Sequence, residues 1–394
     1  MNTFNNPILV TKPLSPDKAD ILKYFSDVID SGWFTNIGVQ HELFEKEIAR
    51  YLHVENVSLF NNGTIALITA LKALELPVGS EVITPAFTFA ATPHSIAWNG
   101  LRPVFADIDP ITLTLSVDAI ERAITSKTSA ILAVHVYGFP CDVKRIQKIA
   151  EKYNLKVIYD GAHAFTTKIN GKSICEWGDI TMLSFHATKL FNSIEGGALV
   201  YTDKQLGERL FELRNFGIKR LTNSDDAKEG IKTKDLIDQV GINGKMNEFQ
   251  AVWGRETLKK VKQEQNKRII ISNIYKNRLS KFDAIEIPEM PSNASNSLQY
   301  FPILIENNGS SSRDDLYEYL LNHNIYSRKY FYPLCSEFGC YNELKSSSPK
   351  NLKVSHSIAN KVLCLPFYGD LVDNDCKDIV ALCDIIAHYF YEKK

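Results

Sequence analysis

Residues 54–74, "VENVSLFNNGTIALITALKAL", decide the fold. The run up to Phe60 is rich in apolar and β-favouring residues and predicts a strand. Asn61-Asn62-Gly63 turns the chain, and the apolar stretch that follows predicts a helix. Residues 80–100, "SEVITPAFTFAATPHSIAWNG", repeat the same strand-to-helix move. Four more strand-like runs follow: "RPVFADI" (102–108), "SAILAVHVYG" (129–138), "LKVIYD" (155–160) and "DITMLSF" (179–185). Helical stretches such as "SVDAIERAIT" (116–125) and "VKRIQKIAEKY" (143–153) separate several of them. Such alternation predicts an α/β domain with a mostly parallel sheet.

Working outward, residues 15–52 predict two amphipathic helices on either side of the loop "SGWFTNIG" (31–38). After "GGALVYTD" (196–203) the pattern changes, and a long helix is expected from about Asn247 to Arg278. Beyond it, "LQYFPILIE" (298–306) predicts a strand. "NNGSSSRDD" (307–315) predicts a turn whose Ser/Asp cluster caps the helix "DLYEYLLNHN" (315–324). "DIVALCDIIAHYF" (378–390) predicts a closing amphipathic helix. The expected division is a large α/β domain over residues 1–255 and a smaller α+β domain over 256–394.

Composition narrows the function. A chain of 394 residues with 44% hydrophobic and 23% charged residues is ordinary for a globular protein. A formal net charge of −1 gives no reason to expect nucleic acid or a membrane surface as a partner. Seven cysteines without framework spacing point to a reducing compartment. With no signal-peptide pattern at the start and no run near the ~18 apolar residues of a membrane span, a cytoplasmic enzyme is expected.

Metal and nucleotide chemistry find little support. Cys335/Cys340 and Cys376/Cys383 have no His pair at finger spacing, so no metal site is expected. "NGKS" (170–173) ends like a phosphate loop, but Thr166 stands where its first glycine belongs, and a β-turn is the better reading. No Gly-x-Gly-x-x-Gly follows a strand, which disfavours a nicotinamide-dependent dehydrogenase.

What remains lies at strand ends, where ligands of parallel α/β sheets bind. Gly63-Thr64 opens a helix and offers free N–H groups to an anion such as phosphate. "VITPAFTF" ends in aromatics, "KVIYD" in Asp160 and "TMLSF" at Ser184, five residues before Lys189 in "SFHATKLFNSIEGG" (184–197). A lysine, a strand-end carboxylate, a helix N-terminus and an aromatic face are what pyridoxal phosphate requires. Each has a plainer reading as surface charge, N-cap or core. Their conjunction in this order is what points to the cofactor.

These segments, together with "VHVYGFPCD", "YDGAHAF", "GINGKMNEFQA" and the late "VLCLPFY", resemble the DegT/StrS-type sugar-nucleotide aminotransferases over nearly the whole chain. The resemblance implies a fold-type I pyridoxal-phosphate enzyme, with a seven-stranded-type, mostly parallel sheet flanked by helices. It implies that Lys189 is the Schiff-base lysine and proton shuttle and that Asp160 pairs with the pyridinium nitrogen. Phe89 would stack on the ring, while Gly63, Thr64 and Ser184 would bind the phosphate. Asn243 would reach the phosphate of the other subunit in a homodimer with active sites at the interface. "GINGKM" stands where many members have an Asn-Tyr-Arg run. His163 would sit near the ring hydroxyl or serve as a hydrogen-bonded wall residue, and His186 reads as structural. The glycine pair Gly196-Gly197 would leave room for the chain to pass the cofactor.

The resemblance further implies ping-pong transamination, with L-glutamate as donor and pyridoxamine 5'-phosphate as the intermediate form. The acceptor would be a nucleotide sugar, dTDP-4-keto-6-deoxyglucose aminated at C4. C3 amination of a dTDP-3-keto-6-deoxy sugar and another fold-type I activity are the alternatives. Trp33, Thr35 and Asn36, with Arg328 and Tyr332 of "SRKYFYP" (327–333), would contact the nucleotide and sugar.

Overall fold

The structure, a computed structural model, describes residues 4–220, 236–307 and 312–392. Two helices, α1 (Lys18–Ser31) and α2 (Val39–Leu52), precede β1 (Asn56–Phe60) and α3 (Gly63–Ala73). The turn between the last two is the expected one: Asn62 is extended, and its side chain caps α3 by accepting from the Ile65 N–H. Alternation continues through β2 (Glu81–Pro85), α4 (Ala91–Trp98), β3 (Arg102–Ala106), α5 (Val117–Ala123), β4 (Thr128–Val134), α6 (Val143–Tyr153) and β5 (Lys156–Asp160). The two-residue strands β6 (Lys168–Ile169) and β7 (Lys172–Ser173) pair across Asn170–Gly171, so "NGKS" is a turn. Then come β8 (Ile180–Ser184), β9 (Gly197–Tyr201) and α7 (Lys204–Leu213).

Seven strands form the central sheet in the order β1-β9-β8-β5-β4-β2-β3. From β8 to β3 every pairing is parallel, and β9 alone runs antiparallel to its neighbours β1 and β8. Side-chain alternation serves two buried faces. Ile83, Ile131, Val157 and Tyr159 enter one core, while Val82, Leu132 and Ile158 enter the other. A sheet covered on both sides leaves only its edges and strand ends open to a ligand.

The long helix expected from Asn247 to Arg278 is two helices, α8 (Glu248–Leu258) and α9 (Val261–Leu279). The break at Lys259–Lys260 has a packing reason. Ala251 and Leu258 face the large core, whereas Ile271, Tyr275 and Leu279 belong to a second core. One straight helix would have to present both sets with a single phase.

The second core is built on β10 (Ile285–Glu286), β12 (Phe301–Ile305) and β13 (Val362–Leu365), an antiparallel sheet in the order β10-β12-β13. Between them β11 (Ala294–Ser295) leaves to pair with β6. Helices α10 (Arg313–Asn322), α11 (Lys353–Lys361) and α12 (Lys377–Glu392) complete this body. Ser312 caps α10 by accepting from the Asp315 N–H; the rest of the predicted turn, 308–311, lies outside the described residues. The first residues of the chain also join this body rather than the large one. Ile8 N–H donates to Asn324 C=O at 3.0 Å and Tyr326 N–H to Ile8 C=O at 2.8 Å. No helix of the described residues is long and apolar enough to cross a membrane.

Candidate active site

At the carboxyl ends of β1, β2, β5 and β8 lies a cleft of about 570 Å³, within the range of small-molecule sites. Its lining includes Gly63, Thr64, Phe89, Asp160, His163, Ser184, His186 and Lys189. Every residue that the strand-end argument nominated is therefore gathered in one place.

Lys189 stands on the excursion that joins antiparallel β8 and β9. Phe185 N–H bonds Gly196 C=O at the base of that excursion, and Ser193 N–H bonds Phe185 C=O. Within it, Lys189 N–H donates to His186 C=O at 2.9 Å, a turn that sends the side chain into the cleft. Removal from bulk water lowers the pKa of the Lys189 ammonium to about 8, against the opposing pull of Asp160. A substantial fraction of this amine is thus neutral near physiological pH.

Asp160 ends β5 and is buried. Thr92 donates to its Oδ2 at 2.7 Å, and the Ala162 N–H to its Oδ1 at 3.0 Å. Thr92 is itself bonded to the Thr88 hydroxyl at 2.9 Å. Burial raises the Asp160 pKa, while the Thr92 hydroxyl, the Ala162 amide and Lys189 counteract it. A cation held against this carboxylate would pull it down further. His163 is buried and neutral: burial, with Lys189 adding to it, drives its pKa well down. Its Nδ1 accepts from the Tyr137 N–H at 3.2 Å, which places the proton on Nε2. Phe331 stacks on the imidazole at 5.7 Å and Tyr300 meets it edge-on at 5.1 Å.

Three observations test whether these residues fit pyridoxal phosphate. Asn62 occupies the Ile65 amide, so among the described residues no acceptor is found for the first two α3 amides, Gly63 and Thr64. A Cβ on Gly63 would approach Ser184 Oγ to 3.3 Å and Met182 Sδ to 3.2 Å, so the helix start and the Ser184 hydroxyl are close neighbours. Phe89 is an aromatic side chain on the cleft wall with 61% of its surface exposed and no ring partner among the described residues. An anion hole, an exposed aromatic side chain, a buried carboxylate and a low-pKa amine together suit the cofactor.

The glycine pair serves a different purpose from the expected one. A Cβ on Gly197 would lie 2.8 Å from the Gly63 backbone, and one on Gly196 would strike Ser193 Oγ and Met246. Gly197 lets β9 pass directly beside the β1–α3 turn, and Gly196 lets the chain close on Ser193 and Met246. Gly197 thereby shapes the anion end of the site through chain packing.

Other nominated residues do not line the cleft of this chain. Trp33, Thr35 and Asn36 sit on an exposed loop that the Glu248 carboxylate anchors by accepting from the Gln40 N–H at 2.7 Å and the Gly38 and His41 N–H at 3.2 Å. Asn243 is exposed, and its carbonyl accepts from Asn61 Nδ2 at 3.5 Å. Arg328 is exposed while its backbone pairs with Cys364. Tyr332 is 47% exposed beneath the Arg313 guanidinium. From the same segment it is Tyr330 and Phe331 that face the cleft.

Sequence reasoning missed Thr92, Tyr300, Tyr330 and Phe331. Thr92 carried a signal, since Thr88 and Thr92 stand four apart in "PAFTFAAT". The three aromatics arrive from the second body, and nothing local marks which of its loops crosses.

A dTDP-4-amino-4,6-dideoxy-D-glucose transaminase of Shigella dysenteriae is 42% identical over 375 residues, covering 95% of this chain and 98% of that one. An enzyme of the same name from Escherichia coli is 43% identical over 369 residues, covering 92% and 94%. The crystal structure of DesI in the presence of its TDP-sugar product superposes with a TM-score of 0.89 at 30% identity, covering 100% of this chain and 95% of that one. Residues 16–383 match the DegT/DnrJ/EryC1/StrS aminotransferases, a pyridoxal-phosphate-dependent family, and the chain belongs to that family.

Proposed function

We propose that the protein transfers an amino group from L-glutamate to C4 of dTDP-4-keto-6-deoxyglucose, with pyridoxal phosphate bound in the cleft. The observation that carries this reading is the pairing, in one cleft, of a low-pKa lysine and a buried, doubly bonded aspartate beside two free helix amides. The choice of sugar and of C4 rests on relatives at 42–43% identity that bear the name of that transaminase. The glutamate donor follows the family.

When bound, the cofactor supplies an aldehyde that carries the amino group and a protonated ring that accepts electrons. The chain's residues divide the remaining work. Gly63 and Thr64 amides and the Ser184 hydroxyl hold the phosphate, favoured by the α3 dipole. Phe89 would cover the ring, and Asp160, positioned by the Thr92 hydroxyl and the Ala162 amide, would face its nitrogen. Lys189 holds the aldehyde end and, once released, moves a proton at the carbon bearing the transferred nitrogen; its pKa of about 8 suits it to give and take that proton. His163 donates from Nε2 toward the ring hydroxyl, and Tyr300 and Phe331 exclude water around it. Asn243 completes the phosphate site of a second copy in a homodimer. Trp33, Thr35, Asn36, Arg328 and Tyr332 form the outer surface that the nucleotide and sugar meet.

The test is direct. Purified protein is mixed with pyridoxal phosphate, glutamate and dTDP-4-keto-6-deoxyglucose, and the product is read by NMR. A visible absorption band that glutamate bleaches, with nitrogen at C4 of the product, is expected. Nitrogen at C3, or a protein that takes up no cofactor, overturns the reading.

A further inference from the structure

Gln299 precedes β12 and is buried at 2% exposure. Its carboxamide spans the two peptide groups that flank Lys189. Oε1 accepts from the Leu190 N–H at 2.6 Å, and Nε2 donates to the Thr188 C=O at 3.1 Å. One planar amide thus satisfies a donor and an acceptor on either side of the same Cα, as a neighbouring strand would. No other hydrogen bond among the described residues joins a side chain of the second body to the peptide groups on either side of Lys189.

Gln299 is itself held firmly. Arg268, 1% exposed, donates from Nη1 to the carbonyls of Leu298 and Gln299 at 3.0 and 3.3 Å. Its Nε bonds Glu264 Oε1 at 2.7 Å, and that oxygen also accepts from the Gly369 N–H at 2.8 Å. On the other side Ser297 Oγ donates to the His163 carbonyl at 2.5 Å. The next residue, Tyr300, lies with its ring 5.8 Å from Lys189 Nζ. Residues 297–300 therefore touch the backbone of both His163 and Lys189 from a rigid base in the second body.

We propose that Gln299 is a positioning residue for the reaction: its carboxamide fixes the backbone on both sides of Lys189, so that the amine is aimed at Asp160 and kept out of bulk water. The inference rests on the reading of Lys189 as the reactive amine. Physically, a lysine side chain has four rotatable bonds, and a small shift at its Cα is amplified at Nζ. Without Gln299 the bonds that hold the turn are, among the described residues, its own: Lys189 N–H to His186 C=O and Thr188 to His186 Nδ1. The buried Leu190 N–H would lose its acceptor and drive the turn to rearrange. The titratable groups that line the cleft with Lys189 are Asp160, His163, His186, Glu195, Tyr300 and Tyr330. Asp160 and His163 are held by bonds to Thr92, Ala162 and Tyr137 that do not involve the Gln299 side chain.

The test uses Gln299→Met, which keeps length and loses both bonds, and Gln299→Leu as a second variant. In cofactor-free protein, modification of Lys189 by fluorodinitrobenzene is followed against pH by peptide mass spectrometry, with thermal melting as the check on folding. The wild-type midpoint is expected near pH 8. In the variants it should move up by about one unit as the amine gains water. In the loaded enzyme kcat should fall about ten- to a hundred-fold, with the nucleotide-sugar KM within about twofold. Folded variants whose midpoint and kcat equal the wild type overturn the proposal. If the midpoint moves but the wild type aminates no sugar, the positioning role stands and the functional reading alone fails.

Discussion

The floor of the cleft and its rim are built differently. On the floor, Asp160, His163 and the Lys189 turn are fixed by buried hydrogen bonds to Thr92, Ala162, Tyr137 and Gln299. On the rim, Trp33, Asn243, Arg328 and Tyr332 are exposed, and their segments are fastened from outside the cleft, by the Glu248 carboxylate, Asn61 Nδ2, the Cys364 backbone and the Arg313 guanidinium. A preorganised floor suits chemistry whose geometry never changes, and an open rim suits a surface that a substrate or a second subunit completes.

The sharpest test of the floor is Lys189→Ala. It should abolish the visible band on addition of pyridoxal phosphate and lower turnover by at least ~10³-fold, measured in single-turnover assays. Residual turnover near the wild-type level would remove the lysine from the mechanism.

Beneath both regions runs a buried network that ties β1 to the loop carrying Asn243. Arg214 donates from Nη1 to Glu45 at 2.8 Å and to Leu59 C=O at 2.6 Å, and His41 joins Glu45 to Met246 C=O. Burial pushes the Glu45 pKa up, but Arg214, His41 and the Leu59 amide outweigh it and bring it to about 2. A carboxylate whose folded pKa is depressed stabilises the fold above its unfolded value of 4.5, and that stabilisation is lost as pH falls toward about 2. The shift corresponds to roughly 3 kcal/mol. Urea unfolding of wild type and Glu45→Gln between pH 5 and 2 should show this part of the acid sensitivity only in the wild type. Identical slopes would remove Glu45 as its source.

Thr92→Val asks how much the floor depends on one hydroxyl. It removes a bond to a carboxylate of about 1.5–3 kcal/mol, so cofactor should dissociate about tenfold faster on dialysis, and Thr92→Ser should restore retention. Equal retention in the valine variant would mean that the Ala162 amide suffices. The smallest effect is expected on the rim. Trp33→Ala should raise the nucleotide-sugar KM by only about threefold with kcat unchanged, the signature of uniform binding. A large fall in kcat would instead place Trp33 with the floor.

Much of this was legible before any coordinates. The apolar runs and the Asn-Asn-Gly turn place β1 to β5 and β8 correctly, because a strand buried on both faces is a property of a few contiguous residues; β9, in "GGALVYTD", is not among the predicted strands. Lys189, Asp160 and Gly63-Thr64 follow from them, since strand ends in a parallel sheet converge on one edge. Less legible were the broken helix at Lys259–Lys260 and the residues that close the cleft. The single helix failed because periodicity reports an apolar face and cannot say that two halves face different cores.

By itself, then, the sequence determined the α/β alternation, the strand ends and the chemistry placed on them, all set by short-range pattern. Only the tertiary structure decided that Gly197 makes room for Gly63 and that Thr92 holds Asp160. It alone brought Gln299 and Tyr300 across from the second body to Lys189. Those contacts join residues from 68 to 134 positions apart. Their pairing follows from how two cores pack against each other, which no local window contains.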